Sequence, residues 1–484
     1  MNGSVDLLVV NAVIVNSTHT TVGHIAVNDG LVVAIYDVTT PRGSLPDAVR
    51  TLDAAGKLVI PGGVDAHCHV EQVTGPYKSL DTFKTASIAA LWGGTTTILD
   101  FGIPADRSES PLHAAENKMR LAQVARCDVG LHGCVIQWDE TVPAQLDALA
   151  AHGIRSVKIY TTNRNSTMAD GDTIIKVMKE MVRLDGLVYV HAEHDPIIFD
   201  CTESSTSRGL TSVENLNRTR PEISEDVSVS ETLAMAEYTG AAVYYVHQST
   251  PEAVSIVQAA RARGMVAYSE TCPHYLEFDE TVYDSPHAER YVCTPPMRRP
   301  ESVRGLLQRV LLGEVDTISS DHSCYDTEQK KAHSDDIHFM PYGLPGVETR
   351  MPAAFTALVA QGGMPVERFV DMFASAPARI NGLSGKGVIA VGYDADLVIF
   401  DPAQTRTVDG AALHMGTDFS PFEGMKLAGW PDVVVARGKV VLEEGRFIDP
   451  GPTGRFLQRL GVHESAERNN ARQTMSGPLA TASH

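Results

Sequence analysis

The chain has 484 residues, of which 43% are hydrophobic and 21% charged, which excludes a disordered or fibrous polypeptide and leaves ample length for a large core. Sixty acidic against 40 basic side chains give a formal charge of −20, so the surface repels phosphate backbones and anionic lipid, and neither nucleic acid nor a membrane is expected as a partner. No apolar run approaches the roughly 20 residues that span a bilayer. The N-terminus carries neither a basic region nor a small-residue cleavage site, and the seven cysteines are scattered without CxxC pairs, so the expected location is the reducing cytoplasm.

In chain order, residues 1–59 read as short strands: VDLLVVNAVIV, then HIAVNDGLVVAIYD with Asn28-Asp29-Gly30 as its turn, then TLDAAGKLVIPG. From residue 60 to 384 apolar strand cores alternate with amphipathic stretches: TTTILDFG, VGLHGCVIQ, SVKIYTT, LVYVHAEH, AVYYVHQS, MVAYSETC and VDTISSDH. Strands alternating with helices over this length predict an α/β fold, a (β/α)₈ TIM barrel. Residues 385–462 return to a β pattern, so the two ends are expected to build one small composite β-sandwich domain. Residues 463–484 are polar and predict a flexible tail or an oligomerisation arm.

In Pro61-Gly62-Gly63-Val64-Asp65-Ala66-His67-Cys68-His69, strand alternation puts His67 and His69 on one face and turns Cys68 away. Such a pair alone is a weak metal signal. Further ligand-type residues recur at later strand ends, where a barrel assembles its active site: Lys158, His191, His247 and Asp321. Imidazole and carboxylate suit Zn²⁺ or a similar divalent ion. A lysine in this company needs to lose its ammonium charge, as when the neutral amine takes up CO₂, releases a proton and becomes a carbamate whose two oxygens bridge two ions. His194 and His274 are read as lying outside the ligand set, and Cys68 and Cys324 are not assigned to the site.

The order HxH, Lys, His, His, Asp resembles the binuclear cyclic amidohydrolases, and the likeness is greatest to the dihydropyrimidinase and D-hydantoinase family. It extends through DAAGKLVIPGGVDAHCH, GGTTTILDF, ETCPHYL, PPMR, SDHSCYDTEQK, GLPGVETRM and GKGVIAVGYDADLVIFDP. The resemblance implies that His67, His69, Lys158, His191, His247 and Asp321 hold two divalent ions, Zn²⁺ with Mn²⁺ as the alternative, and that Lys158 is N6-carboxylated. It implies opening of a cyclic amide or imide ring by a hydroxide shared between the ions, with Asp321 as general acid–base, in a homotetramer.

Several family positions differ here. The family tyrosine five residues after the bridging lysine, which donates to the developing oxyanion, is Asn163, whose amide is also a donor. The family's PNG segment is Pro341-Tyr342-Gly343, the serine before PP is Thr294, and the loop EQVTGPYKSL is not the apolar loop of hydantoinases. Asn163, Thr294 and Tyr342 are therefore the substrate-binding candidates, and Asn163, as the oxyanion donor, joins Asp321 as a catalytic candidate. Dihydroorotases carry an arginine two residues after HxH, where this chain has Glu71. An allantoinase is the alternative enzyme, and an inactive structural relative of the collapsin response mediator type the non-enzyme alternative.

Overall fold

The computed structural model describes residues 4–475, with side chains as far as residue 468. Strand β1 (Val5–Val15) pairs antiparallel with β2 (Thr20–Asn28), which turns into β3 (Leu31–Asp37). Asp29 and Gly30 take φ of 50° and 78°, the left-handed pair that a two-residue hairpin turn requires. Strands β4 (Ala48–Asp53) and β5 (Leu58–Pro61) run parallel to the first and last parts of β1. A bulge at Asn11, φ 55°, separates those parts and bends the strand so that it can serve both partners.

The barrel strands are β6 (Gly63–Cys68), β7 (Thr95–Gly102), β8 (Asp128–Cys134), β9 (Ser156–Tyr160), β10 (Leu187–His191), β11 (Ala242–Tyr245), β12 (Ala267–Thr271) and β13 (Thr317–Ile318). Among the described residues they form an eight-stranded parallel sheet in sequence order. Helices cover the outer face, so the strands are buried almost throughout rather than alternating between buried and exposed. The helix Gly171–Arg183 shows the pattern: Asp170 caps it by accepting from the Thr173 N–H, and Ile174, Val177, Met178 and Met181 face inward.

Closure comes from a parallel bridge between Cys68 and His322, just past β13, and from the buried Arg350. Its guanidinium donates to the carbonyls of Val64 on β6 at 3.2 Å and of Ile318 on β13 at 2.9 Å, stitching the first strand to the last.

After the barrel, β14 (Leu397–Phe400) pairs with β5, and β15 (Val433–Ala436), β16 (Lys439–Glu443) and β17 (Arg446–Phe447) extend a nine-stranded sheet among the described residues. Leu7, Val9, Ile25 and Val27 from the N-terminal strands share a core with Leu397, Ile399 and Val435. The small β domain is thus built from both termini. Beyond Phe447 the chain leaves this sheet and crosses the barrel floor, where Arg459 donates to Leu131 O and to Ser156 Oγ. The helix Val462–Met475 then docks through Ser465 Oγ to Arg379 O at 2.9 Å. Residues 476–484, the rest of the expected tail or arm, lie outside the described residues. Among the described residues no helix is long and apolar enough to cross a membrane.

Candidate metal centre and active site

The strand ends deliver the ligand-type residues to one place. His67 stands on β6 and His69 follows it, Lys158 is on β9, His191 ends β10, and His247 and Asp321 lie just past β11 and β13. Alternation turns the Cys68 thiol away, to 3.7 Å from Ser320 Oγ. His247 and Asp321 take φ of 37° and 50°, a left-handed backbone uncommon outside glycine and concentrated at functional sites.

His67 Nε2 lies 3.2 Å from His69 Nε2, and the two nitrogens lie 3.1 and 3.3 Å from the same oxygen, Asp321 Oδ1. His247 Nε2 is 2.9 Å from His191 Nδ1. Ligand atoms of His67, His247 and Asp321 all fall within 4.8 Å of one another.

The donor set fits divalent cations on its own hydrogen-bond chemistry. His67 Nδ1 meets Glu270 Oε1 at 2.7 Å, and a carboxylate only accepts, so in the neutral ring the proton sits on Nδ1 and Nε2 is a bare lone pair. His191 Nε2 likewise meets Glu193 Oε2 at 2.9 Å, leaving its Nδ1 bare toward His247. The buried His69 Nδ1 and His247 Nδ1 have no hydrogen-bond partner. Burial lowers the pKa of His69, His191 and His247, which keeps these rings neutral. Burial would raise Asp321, but the imidazoles of His67, His69 and His247 hold its carboxyl far below the usual range. Two bare imidazole lone pairs, on His67 Nε2 and His191 Nδ1, thus face further imidazole nitrogens and an anionic oxygen, the arrangement a cation completes.

Lys158 is 1% exposed and has no carboxylate partner among the described residues. Its Nζ sits 4.9 Å from the Phe101 ring centroid and 5.2 Å from that of Tyr160. Burial lowers its pKa to about 8, so a neutral amine, the form that takes up CO₂, is accessible.

Three supporting residues escaped the sequence reading. Glu270 on β12 receives, besides His67, the hydroxyls of Tyr244 and Ser319 at 2.7 and 2.8 Å and the His247 N–H at 3.1 Å. Glu193 holds His191 and is itself held by Arg220 Nη1 at 2.6 Å. Burial would raise Glu193, yet Arg220 and His191 bring its pKa down to about 2. Such carboxylate–histidine pairs fix tautomer and ring orientation around a metal. Glu193 could have been found from its two-residue spacing to His191; Arg220 carries no comparable signal.

His194 immediately precedes the helix Asp195–Ser207, past the strand end. His274 is buried in the short helix Pro273–Glu277, and burial lowers its pKa to about 4. Asp81, His322 and Cys324 form a second group of ligand-type atoms, but its bonds are closed. His322 Nδ1 accepts from Gly346 N at 3.2 Å and Nε2 donates to Asp81 Oδ2 at 3.0 Å, while Asp81 Oδ1 accepts from Gly416 N at 3.0 Å. No bare lone pair is left facing another.

A cavity of ≈ 440 Å³ opens above the cluster, with His69, Lys158, His191, His247 and Asp321 in its base and Asn163, Thr294 and Tyr342 in its walls. Asn163 takes φ 71°. Its amide nitrogen donates to Thr167 Oγ1 at 3.2 Å and its oxygen faces Arg220 Nη2 at 3.5 Å. The Tyr342 hydroxyl donates to Ile337 O at 2.9 Å, and its ring lies 5.6 Å from the Arg220 guanidinium.

Comparison with known proteins agrees with this geometry. The profile of the amidohydrolase family matches residues 58–441. A D-hydantoinase of Ralstonia pickettii is 35% identical over 462 residues, which cover 94% of this chain and 99% of that protein. A dihydropyrimidinase of Rattus norvegicus is 34% identical over 460 residues, 94% of this chain and 88% of that protein. The solved structure of a D-hydantoinase (dihydropyrimidinase) from Thermus sp. superposes with a TM-score of 0.91 at 30% identity, covering 94% of this chain and 100% of that one. The chain therefore belongs to the amidohydrolase family, in the group of the D-hydantoinases and dihydropyrimidinases.

Proposed function

We propose that the protein is a metal-dependent hydrolase that opens a cyclic amide or imide ring of hydantoin or dihydropyrimidine type. The observation that carries this reading is the convergence of bare histidine lone pairs and Asp321 Oδ1 beside a buried, unpaired lysine at the base of a cavity. His67, His69 and Asp321 would hold one divalent ion, His191 and His247 a second, and Lys158, N6-carboxylated, would bridge them. Zn²⁺ is the expected metal and Mn²⁺ the alternative. When bound, two such ions lower the pKa of water and polarise a carbonyl.

The chain's own residues supply the rest. Asp321, ionised and at the cavity base, takes the proton of the attacking water and returns it to the leaving ring nitrogen. Glu270 and Glu193 keep His67 and His191 from rotating during turnover. Asn163, Thr294 and Tyr342 form the wall against which the ring rests.

The test combines metal analysis, the mass of the Lys158 peptide, and assays on hydantoins, dihydropyrimidines, cyclic imides and allantoin. Ring opening of at least one of these by protein with two ions per chain is expected. Metal-replete protein that opens none of them overturns the reading, and active protein with one ion and an unmodified lysine overturns the bridged pair.

A homotetramer in the cytoplasm belongs to the same reading. It is supported by the apolar side chains Val22, Ile35 and Val38, exposed near the edge of the small domain's sheet, and by free cysteines throughout the described chain. Sedimentation showing a monomer at micromolar concentration would contradict the assembly.

A further inference from the structure

The residue that stabilises charge on the attacked carbonyl is not settled by the position the family resemblance singles out. Asn163 sits in a left-handed turn with its amide nitrogen bonded to Thr167 and its oxygen toward Arg220. Both ends of the amide are thereby engaged with the wall rather than with the cavity base.

Tyr160 stands differently. It is the last residue of β9, two positions after Lys158, so alternation places both side chains on the same face, with Tyr160 one step nearer the mouth. Its ring centroid is 5.2 Å from Lys158 Nζ and 5.4 Å from the His191 ring. The residue is 8% exposed and lines the cavity, and its hydroxyl makes no hydrogen bond among the described residues. A buried phenol normally finds a partner. The cavity this residue lines is where a substrate would sit.

The reaction itself calls for such a donor. Attack forms a bond from the water oxygen to the carbonyl carbon and moves the C=O π electrons onto the carbonyl oxygen. Collapse re-forms the C=O, breaks the C–N bond and gives the ring nitrogen the proton taken from the water. Charge therefore grows on the carbonyl oxygen while Asp321, which lies with His67 and His69, takes the water's proton. A neutral donor in the cavity wall can hold that charge, and the unbonded phenol lines the cavity beside Lys158 and His191. From this we infer that, given the ring-opening activity proposed above, Tyr160 donates its O–H to the reacting carbonyl oxygen and is a catalytic residue, keeping its own proton throughout.

The test is Tyr160→Phe, which retains the ring and removes only the donor. The expected result is a fall in kcat of roughly 10²–10³-fold, with KM within about threefold of the parent. Calorimetric affinity for the ring-opened product, whose new carboxylate occupies the oxyanion's place, should fall roughly tenfold, as for loss of a hydrogen bond to a charged group. Bound metal should be unchanged. A variant whose kcat stays within about threefold of the parent while KM rises overturns the inference and makes Tyr160 a wall residue only. Loss of metal in step with activity overturns it too, since the hydroxyl would then be supporting the metal site rather than the reacting carbonyl. If the unaltered, metal-replete enzyme opens none of the rings tested, the functional reading falls and takes this inference with it, an outcome distinct from either result on the variant.

Discussion

At the floor of the barrel Lys386 Nζ lies 2.6 Å from Asp128, 2.9 Å from Asp394 and 2.6 Å from Asp396, and Arg455 reaches Asp128 and Asp394 at 3.3 and 2.5 Å. At the mouth, six polar side chains converge with bare lone pairs and an anionic oxygen facing one another. Both clusters are buried in one barrel. The floor answers every charge with an opposite one: burial alone would lower Lys386, yet its carboxylates raise it above the ordinary lysine range. The mouth leaves its donors for a cation from outside. A saturated cluster holds strands together, whereas an unsaturated one of the same residue types stores binding capacity.

The largest effect should come from breaking the floor. Lys386→Met leaves three carboxylates in a buried site without their central cation, and a loss of roughly 3–5 kcal/mol is expected in urea denaturation, with kcat per folded molecule preserved. A loss below about 1 kcal/mol, the range of exposed pairs, would show that the floor contributes no more than a surface ion pair and would dissolve the contrast.

At the mouth, Glu193→Gln keeps shape and removes the anion that orients His191. Metal retention against a chelator should weaken roughly 10–100-fold, with little change in the denaturation midpoint of the metal-loaded protein. An unchanged chelator titration would mean that His191 is held by packing alone.

The smallest effect is expected behind the cavity wall at the mouth, at Lys330. Its buried amine donates to Val292 O at 2.7 Å and Pro341 O at 2.9 Å, tying together the segments that carry Thr294 and Tyr342. Burial lowers its pKa from 10.5 to about 7. Its charged form is thus disfavoured in the fold, so its cost to stability is complete below pH 7 and fades as pH rises toward the unfolded value. Wild-type stability should therefore gain a rising component between those limits, absent in Lys330→Met. The variant should lose about 1 kcal/mol at alkaline pH from the two orphaned carbonyls. A pH dependence identical in both proteins would exclude Lys330 as its source.

The barrel and the convergence of His67, His69, Lys158, His191, His247 and Asp321 were legible because each rests on local information: strand alternation and the rule that strand ends meet at one mouth. The same rule could have pointed to Tyr160, on the face of Lys158, and to Glu193, two residues after His191, but neither was read from the sequence. Arg220 was hidden because it reaches Glu193 from the long segment between β10 and β11. The Lys386 network was hidden because Asp128 stands 258 residues away in the chain. The polar segment after residue 462 read as tail or arm, but it opens as a helix whose first N–H groups are met by a distant carboxylate. His463 N and Glu464 N donate to Asp185 at 3.0 and 3.2 Å, and a cap supplied from another part of the fold leaves no trace in the local sequence.

The stitch made by Arg350 also bears on how the molecule is born. Val64 and Arg350 are 286 residues apart in the chain, and β5 finds its partner β14 only after a still longer stretch has been made. During synthesis β5 and β6 leave the ribosome with one edge each still unpaired, and neither seam can close until the last third of the chain appears. Loop-closure entropy spent over such separations slows folding and prolongs exposure to aggregation. Shortening the nascent chain before residue 350 would therefore leave an open, adhesive sheet in place of a smaller working barrel.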